Sequence, residues 1–277
     1  MTIHSTAIVD TKAEVASDVE IGPYTVIGPN VCLESGARIM HHVSISGNTV
    51  IESGAEIYPF CSIGGAPQDL KYRGEPIYCQ VGARTILREY VTINAGSKGA
   101  DSKGADSKGA DSQGKKWPAT QIGADSMMMA YAHLGHNTVV GSAVVIANSA
   151  ALAGHVTVGD FAIIGGLVGV HQFVHVGKMV IIGGCSKVVK DIPPYMLAQG
   201  NPAKVRYINK VGLRRKGLSA EALHHIKQAF VTLYASGLNV SQAFEKLQAS
   251  SKEFPEVKEI LDFIEMSDRG LATRGTK

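Results

Sequence analysis

Residues 122–188 read IGADSMMMAYAHLGHNTVVGSAVVIANSAALAGHVTVGDFAIIGGLVGVHQFVHVGKMVIIGGCSKV. An aliphatic residue or methionine stands at every sixth position of this stretch, from Ile122 to Val188. Neither the 3.6-residue period of a helix nor the two-residue period of an ordinary strand produces such a pattern. The same six-residue spacing runs through the N-terminal part of the chain, at Val9, Val15, Ile21, Ile27, Leu33, Ile39, Ile45, Ile51, Ile57 and Ile63, and returns at Val81, Leu87 and Ile93.

A period of six predicts one short strand and one turn in each repeat, with the aliphatic side chain pointing inward. Three repeats then close a triangular coil of eighteen residues, and the next coil stacks on it at about the 4.8 Å spacing of hydrogen-bonded strands. Glycine often follows the aliphatic residue, which suits a tight corner. The sequence therefore predicts an all-β parallel β-helix of hexapeptide repeats over residues 1–192.

Two segments interrupt the repeat and are predicted to form loops. Residues 66–79 (APQDLKYRGEPIYC) are polar and replace two repeats. Residues 94–120 contain SKGAD three times in tandem, from Ser97 to Asp111. Because this tract offers no apolar side chains to a core, we expect a mobile surface loop that contributes little to stability.

The repeat stops after Lys190, and a helical pattern follows. Ser219 is a plausible N-cap for a segment with apolar residues on one face, Ser241 is a candidate cap for the next segment, and Pro255 suits the first turn of a third. A small all-α C-terminal domain is therefore predicted over residues 193–277.

Composition excludes several classes of protein. The formal charge of +3, without an arginine-rich or aromatic-interleaved segment, argues against nucleic-acid binding. The four cysteines form no CxxC pair, so neither a zinc framework nor a disulfide framework is implied. The N-terminal MTIHSTAIVD lacks a secretory pattern, and no apolar run is long enough for membrane insertion. The expected location is the reduced cytoplasm.

The eighteen-residue coil also predicts a site. His136, Gly154 and Gln172 are eighteen residues apart, so they occupy one corner of three successive coils. The neighbouring column consists of Asn137, His155 and Phe173, with His133 and His171 a few positions away. Polar groups and a glycine amide should therefore lie within about 10 Å along one edge.

Three interpretations of this edge are open. The histidines are surface residues stacked by the repeat, or His133, His136 and His155 hold zinc, although no carboxylate orients them as zinc ligands usually require. In the third interpretation, His136 is a general base and the N–H of Gly154 stabilises an oxyanion during acyl transfer. Since no serine or cysteine nucleophile flanks His136, this interpretation favours direct transfer over an acyl-enzyme.

At these residues the chain resembles the bacterial UDP-N-acetylglucosamine O-acyltransferases, which begin lipid A biosynthesis. The matching stretches span almost the whole chain in order: IGPYTVIGPNV, SIGGAPQDLKYRGEP, AHLGHNTVVG, LAGHVTVGDFAIIGG, VHQF, GGCS, DIPPYMLAQGN and GLRRKGLS. The resemblance implies left-handed coils and a homotrimer with sites between neighbouring β-helices. It also implies transfer of an (R)-3-hydroxyacyl chain from acyl carrier protein to the 3-hydroxyl of UDP-N-acetylglucosamine. The phosphopantetheine thioester would be the donor, with no other cofactor and no metal.

The resemblance also assigns roles to single residues. His136 corresponds to the general base and Gly154 to the oxyanion amide. Gly184, in the GGCS stretch, falls near the residue that limits acyl length. The predicted substrate-binding residues are Gln68, Asp69 and Lys71 in the first loop, His133, His155, His171 and Gln172 around the sugar and acyl chain, and Asn209 and Arg215 at the nucleotide. For Lys71 and Arg215 the simpler alternative is a solvated loop and a solvated helix face.

Three positions depart from the family pattern. Asn137 stands where the best-known members carry an acidic residue after the base, Asn94 replaces a histidine, and Val211 replaces an acidic nucleotide contact. Other functions stay open on the sequence alone: a related N-acyltransferase that uses a 3-amino sugar, a zinc-dependent carbonic anhydrase on the same scaffold, and a non-catalytic repeat scaffold. The repeats begin near Ala7, which leaves no room for the N-terminal uridine-binding domain of the N-acyltransferases.

Overall fold

The computed structural model describes residues 2–97, 108–110, 116–118, 120–251 and 253–275. The fold is the predicted left-handed parallel β-helix followed by a small helical unit. The chain visits three sheets in rotation, so each sheet forms one face of a triangular prism. We name these faces A, B and C, in the order in which each coil visits them from Glu20 onward with face A first.

Each face is a stack of short parallel strands, with local additions at its ends. Face A consists of Thr2–Ile3, Glu20–Ile21, Arg38–Ile39, Glu56–Ile57, Ile86–Leu87, Met127–Met128, Val145–Ile146, Ile163–Ile164, Ile181–Ile182, Met196–Gly200 and Ala203–Ile208. Face B consists of Ile8–Val9, Val26–Ile27, Ser44–Ile45, Ser62–Gly65, Thr92–Asn94, His133–Leu134, Ala151–Leu152, Gly169–Val170 and Lys187–Val188. Face C consists of Glu14–Val15, Val31–Leu33, Asn48–Ile51, Ile77–Val81, Thr120–Ile122, Val139–Val140, Thr157–Val158 and His175–Val176, with Gly96–Ser97 paired to Ile77–Val81.

The inward side chains form the predicted aliphatic ladders. From Ile21 to Val188 the residues of the six-residue series are buried, whereas Val9 and Val15, at the open end of the prism, are half-buried. At the corners the backbone turns through left-handed φ values, which Asn137, His155 and Phe173 adopt at 59°, 59° and 62°. Such values cost a non-glycine residue roughly 1–2 kcal/mol, so the buried ladders must offset this strain.

The structure differs from the predicted loop boundaries. Residues 77–79 belong to a face C strand, and Asn94, Ser97 and Thr120 also lie in strands. The register with the neighbouring coils extends further into the interruptions than the six-residue pattern indicated. Residues 98–107 and 111–115 of the tandem tract and its continuation lie outside the described residues, while Lys108–Ala110 and Lys116–Pro118 pair as antiparallel strands.

The segment after residue 192 differs from the all-helical prediction over its first part. Met196–Gly200 pairs in parallel with Ile181–Ile182, and Ala203–Ile208 then pairs antiparallel with it. This hairpin covers the end of face A, where unpaired backbone groups would otherwise remain exposed. Helices follow at Lys210–Arg215 (α1), Ala220–Tyr234 (α2), Val240–Ser251 (α3) and Pro255–Glu265 (α4).

The predicted helix starts are confirmed at two of three positions. Ser219 caps α2 by accepting a hydrogen bond from the Ala222 N–H at 3.0 Å, and Pro255 opens α4. The cap predicted at Ser241 is wrong, because Asn239 accepts from the Gln242 N–H at 2.9 Å and α3 starts at Val240. Within the described part of the chain, no helix combines the length and the apolar character required to cross a membrane.

Candidate functional site

The corner at which the chain passes from face B to face C carries the predicted polar column. His136, Gly154 and Gln172 follow the inward residues Leu134, Leu152 and Val170 by two positions in successive coils. Hydrogen bonds join these turns, because the His155 N–H donates to the His136 carbonyl at 2.9 Å and the Phe173 N–H to the Gly154 carbonyl at 3.2 Å. The coil geometry inferred from the eighteen-residue spacing is therefore confirmed at this corner, which we call the BC corner.

Gly154 leaves space for the ring of His136. A Cβ atom built on Gly154 would lie 2.6 Å from Nε2 of His136 and 2.9 Å from its Cε1. Among the described residues, the Gly154 N–H has no hydrogen-bond acceptor. The repeat does not use the N–H at this position. Proline, which has no N–H, occupies the equivalent position in other coils: Pro23, Pro29, Pro59 and Pro194. A glycine at this position therefore presents an open donor beside Nε2.

The two ring nitrogens of His136 face different groups. Nδ1 lies 2.9 Å from Oδ1 of Asn137, which is buried. Nε2 lies 3.9 Å from Oδ2 of Asp69, and the His136 side chain is 18% exposed. One edge of the imidazole is thus held by the protein interior and the other faces a partly open space, as a base that meets a substrate requires.

The loop after face B strand Ser62–Gly65 brings Asp69 to this corner. Oδ1 of Asp69 accepts a hydrogen bond from the Lys71 N–H at 3.0 Å, so the carboxylate closes a turn of its own loop. Nδ2 of Asn94 donates to the Ala66 carbonyl at 2.9 Å and holds the start of the loop. Gln68 and Lys71 are exposed. Of the predicted loop residues, the structure therefore places Asp69 beside His136.

The other predicted histidines differ in their surroundings. The ring of His155 packs edge-on against His136, with centroids 5.0 Å apart, and stacks on Phe173 at 4.7 Å. His133 lies on face B, with Nδ1 2.8 Å from the Thr92 hydroxyl, and burial lowers its pKa. His171 is exposed, with Nδ1 3.2 Å from the carbonyl of its neighbour Gln172. His136, in contrast, has Nδ1 held by Asn137 and Nε2 facing Asp69.

Asn209 and Arg215 lie at a different corner, where the chain passes from face C to face A. Asn209 is buried, its Oδ1 accepts from the Gly212 N–H at 3.1 Å to cap α1, and its Nδ2 donates to the Met179 carbonyl at 2.9 Å. Arg215 is exposed at the end of α1 and borders a cavity of about 460 Å³. Further lining residues of this cavity are Phe161, Ile163, Ile181, Leu197 and Lys216. The role of Asn209 and Arg215 in nucleotide binding stays a prediction.

Gly184 also lies away from the BC corner. It is exposed in the turn between Ile181–Ile182 on face A and Lys187–Val188 on face B. A Cβ atom there would meet only the Gly166 backbone, with its carbonyl oxygen at 3.2 Å. Within one chain the structure therefore does not join Gly184 to His136, and its predicted role in acyl length stays a prediction.

Sequence reasoning missed three residues that support the site. Ser97 bonds to the side chain of Asn137, the Thr120 hydroxyl accepts from the Asn137 N–H at 2.9 Å, and Thr92 bonds to His133. Ser97 is buried although the sequence placed it in the mobile tract. The insertion before residue 120 breaks the six-residue phase, so the pattern held no signal that aligned these residues with the histidines.

The BC corner therefore brings an imidazole, an open N–H donor and a carboxylate into one small region. This set suits proton removal from a hydroxyl and stabilisation of the oxyanion that forms on a carbonyl. In the described ranges, no group of three or more histidine, cysteine, aspartate or glutamate side chains is arranged to hold a metal ion.

Comparison with known proteins gives one consistent result. The family profile described as "Udp N-acetylglucosamine O-acyltransferase; Domain 2" matches residues 191–272. The acyl-[acyl-carrier-protein]–UDP-N-acetylglucosamine O-acyltransferase of Thermodesulfovibrio yellowstonii is 42% identical over 269 residues, which cover 97% of this chain and 98% of that protein. Its namesake from Thiobacillus denitrificans is 42% identical over 270 residues and covers 98% of each chain.

Solved structures agree over the full length. The UDP-N-acetylglucosamine acyltransferase of Francisella novicida matches with a TM-score of 0.90 and 34% identity, covering 100% of this chain and 95% of that one. The UDP-N-acetylglucosamine O-acyltransferase of Moraxella catarrhalis matches with a TM-score of 0.89 and 38% identity, covering 98% of this chain and 100% of that one. With these identities and coverages, the chain belongs to the acyl-[acyl-carrier-protein]–UDP-N-acetylglucosamine O-acyltransferase family.

Proposed function

We propose that this chain transfers an (R)-3-hydroxyacyl group from acyl carrier protein to the 3-hydroxyl of UDP-N-acetylglucosamine, the first step of lipid A biosynthesis. Family membership supports the reaction. The observation that carries the assignment of the centre is the close approach of Gly154 to Nε2 of His136, together with a Gly154 N–H that has no acceptor among the described residues. We place the reaction in the cytoplasm and expect no cofactor beyond the phosphopantetheine thioester.

The proposed step begins with proton removal. Nε2 of His136 takes the proton of the sugar 3-hydroxyl while the hydroxyl oxygen forms a bond to the thioester carbonyl carbon. The carbonyl oxygen becomes an oxyanion, which the Gly154 N–H stabilises. When this intermediate collapses, the carbon–sulfur bond breaks, and the thiolate of the carrier protein takes the proton back from His136. No covalent enzyme intermediate forms, since the acceptor itself attacks the thioester.

The substrate occupies the region between His136 and Asp69 in this proposal. The two side chains are 3.9 Å apart at Nε2 and Oδ2, so the sugar hydroxyl that donates to Nε2 lies beside the carboxylate, which can accept from another donor of the sugar. Asp69 is fixed by its bond to the Lys71 N–H. The predicted contacts of Gln68, Lys71, His155 and Gln172 belong to this part of the proposal.

The homotrimer is part of the same proposal, and one face of the β-helix supports it. The outward row of face A is charged in its early coils, where Arg38 lies 3.3 Å from Glu20 and 3.4 Å from Glu56. It then becomes apolar over six consecutive strands, in register through Ile86, Met127, Val145, Ile163, Ile181 and Leu197. Ile163 is 40% exposed in the single chain. Contiguous apolar surface of this kind marks an interface.

Trimer formation also accounts for the position of Asn209 and Arg215. Both lie at the corner between faces C and A, beside the apolar row, whereas His136 lies at the BC corner. If face A of one chain packs beside the BC corner of its neighbour, the cavity near Arg215 lies next to His136 of the neighbouring chain.

Light scattering tests the trimer. It should give three times the chain mass for the wild type and a lower mass for Ile163→Glu; a monomeric wild type contradicts the proposed trimer.

The test of the reaction is an acyl-transfer assay with (R)-3-hydroxyacyl carrier protein and UDP-N-acetylglucosamine. We expect wild-type protein to form the 3-O-acyl product and His136→Ala to lose activity by about 10²–10⁴-fold while it stays folded. His4→Ala, at the N-terminal end of the β-helix, is the matched control and should retain activity. Full activity in a folded His136→Ala variant, or preference for the 3-amino analogue of the sugar, contradicts the proposal.

A further inference from the structure

The side chain of Asn137 is bonded to both backbone groups of Ser97. The Ser97 N–H donates to Oδ1 of Asn137 at 3.3 Å, and Nδ2 of Asn137 donates to the Ser97 carbonyl at 3.0 Å. Both residues are buried, and the Thr120 hydroxyl accepts from the Asn137 N–H at 2.9 Å. The side-chain amide is therefore held by both backbone groups of Ser97, while the backbone of Asn137 is held by Thr120.

This pairing fixes which atom of the amide faces His136. If the amide were turned over, its NH₂ group would face the Ser97 N–H and its oxygen would face the Ser97 carbonyl. Both contacts would then be repulsive, and a buried polar group without a partner costs about 1–3 kcal/mol. Since a backbone N–H is always a donor, Oδ1 must be the atom that lies 2.9 Å from Nδ1 of His136.

An oxygen acceptor at this position determines the protonation of the imidazole. Oδ1 accepts one hydrogen bond from Ser97 and has a second lone pair for the Nδ1–H of His136. The hydrogen bond at one ring nitrogen sets the tautomer of a neutral histidine. Asn137 lies within hydrogen-bond distance of Nδ1, whereas the Asp69 carboxylate, at 3.9 Å from Nε2, does not, so Nε2 carries the free lone pair beside Gly154. We propose that the Ser97 backbone, acting through Asn137, holds His136 in the Nδ1–H tautomer that its role as a base requires.

The expected effect on kcat rests on the proposed function, whereas the expected tautomer of His136 rests on geometry alone. Asn137 is a positioning residue, because it touches neither substrate nor reacting atoms. The bonding of Asn137 to Ser97 also explains how an asparagine can replace the acidic residue after the proposed base. The charge of an acidic residue is absent from an amide, so the backbone of Ser97 must fix which atom of the amide faces His136. The strand Gly96–Ser97 becomes part of the site through its pairing with Ile77–Val81.

The test measures the tautomer directly. Nitrogen-15 NMR of the histidine rings in the whole protein, with His136→Gln used for assignment, distinguishes protonated from unprotonated ring nitrogens in the neutral ring. We expect an unprotonated Nε2 in the wild type. Asn137→Gly removes the acceptor and still suits the left-handed φ of 59°. In that variant, we expect the His136 signals to shift toward the Nε2–H tautomer and kcat to fall about a hundredfold, with acceptor KM changed less than about threefold.

Two further variants make the test specific. Asn137→Asp keeps an oxygen toward Nδ1, so it should retain the Nδ1–H tautomer and a higher kcat than Asn137→Gly. Asn48→Ala removes another amide that donates to a strand carbonyl, that of Ile77 at 2.8 Å, and should leave the His136 signals unchanged.

The outcomes separate the two hypotheses. An Nε2–H tautomer in the wild type, or an Asn137→Gly variant that is folded and keeps the wild-type tautomer, overturns the positioning inference. Absence of acyl transfer in the wild type with the expected tautomer pattern overturns the proposed reaction and leaves the positioning inference supported. Melting temperatures of all variants show whether each one is folded.

Discussion

Gly154 and Nε2 of His136 are so close that a single methyl group on the glycine would lie 2.6 Å from the nitrogen. This distance is well below any van der Waals contact, so the imidazole and a side chain at residue 154 exclude each other. Glycine is therefore required here for the His136 ring to keep this position, because the φ of Gly154 is not left-handed and the turn itself accepts other residues. The proposed base and the proposed oxyanion donor thus lie next to each other.

Substitution Gly154→Ala should therefore act on catalysis more than on folding. The ring of His136 is partly exposed and can rotate away from the added methyl, so we expect little change in melting temperature. Displacement of the base should lower kcat by about a hundredfold or more. Gly169→Ala is the matched control, since its Cβ would meet nothing within 4 Å. Equal activity of the two variants would contradict the close contact.

A second prediction concerns the end of the β-helix. The carboxylate of Asp191 is buried and accepts from the His175 N–H at 2.8 Å and from the Ser267 hydroxyl at 2.6 Å. It joins the last coil to the C-terminal segment. Asp191→Ala should lower the free energy of unfolding by about 3 kcal/mol, because a buried N–H loses its acceptor.

The matched control for Asp191 is Asp160→Ala. Asp160 also accepts a backbone hydrogen bond, from the Ser142 N–H at 2.8 Å, but it is exposed and water can replace it. We expect a change of less than about 1 kcal/mol in urea unfolding. Similar losses in both variants would mean that the Asp191 carboxylate does not join the two parts.

A third prediction follows from the lowered pKa of His133. Burial disfavours its charged form, so the folded protein resists protonation below the ordinary histidine value of about 6.5. The unfolded chain binds this proton first, and stability must therefore fall as the pH falls below about 6.5. As the pH is lowered from about 8 to about 5, the melting temperature of the wild type should fall more than that of His133→Gln. A difference between the two that stays constant with pH would rule out this contribution.

The six-residue spacing was sufficient to predict the three faces, the inward ladders and the alignment of His136 with Gly154, because every coil repeats the same geometry. It was insufficient where the chain leaves that repeat. Ser97 lies near the start of an interruption whose length the pattern does not fix, so its pairing with Asn137 depends on register that only the folded chain provides. The final strands of face A were missed for a related reason, since they pair as a hairpin without the six-residue spacing.

Residue Arg215 provides a fourth prediction, on nucleotide-sugar binding. Its side chain borders the 460 Å³ cavity, whereas that of the adjacent Arg214 lines a different cavity. Arg215→Ala should raise the acceptor KM about tenfold and leave kcat nearly unchanged, because a contact with the diphosphate contributes equally to ground and transition states. Lys71→Ala should act in the same direction. Arg214→Ala is the control, and it should leave the acceptor KM unchanged; a collapse of kcat in Arg215→Ala would instead assign this residue to the chemical step.

The last prediction concerns the length of the acyl chain and rests on the open surface at Gly184. Gly184 itself carries no side chain, and a Cβ atom there would meet only the Gly166 backbone, with its oxygen at 3.2 Å. If the acyl groove ends here, as the family resemblance implies, a donor of about fourteen carbons should be preferred over one of ten, since four more buried CH₂ groups contribute up to about 3 kcal/mol. Gly184→Met should shift this preference toward the shorter donor, and Gly184→Ala should give an intermediate shift. Competition between the two donors in one reaction, followed by mass analysis of the products, measures the preference directly. If the wild type already prefers ten carbons, or if Gly184→Met leaves the ratio unchanged, the groove ends at another residue.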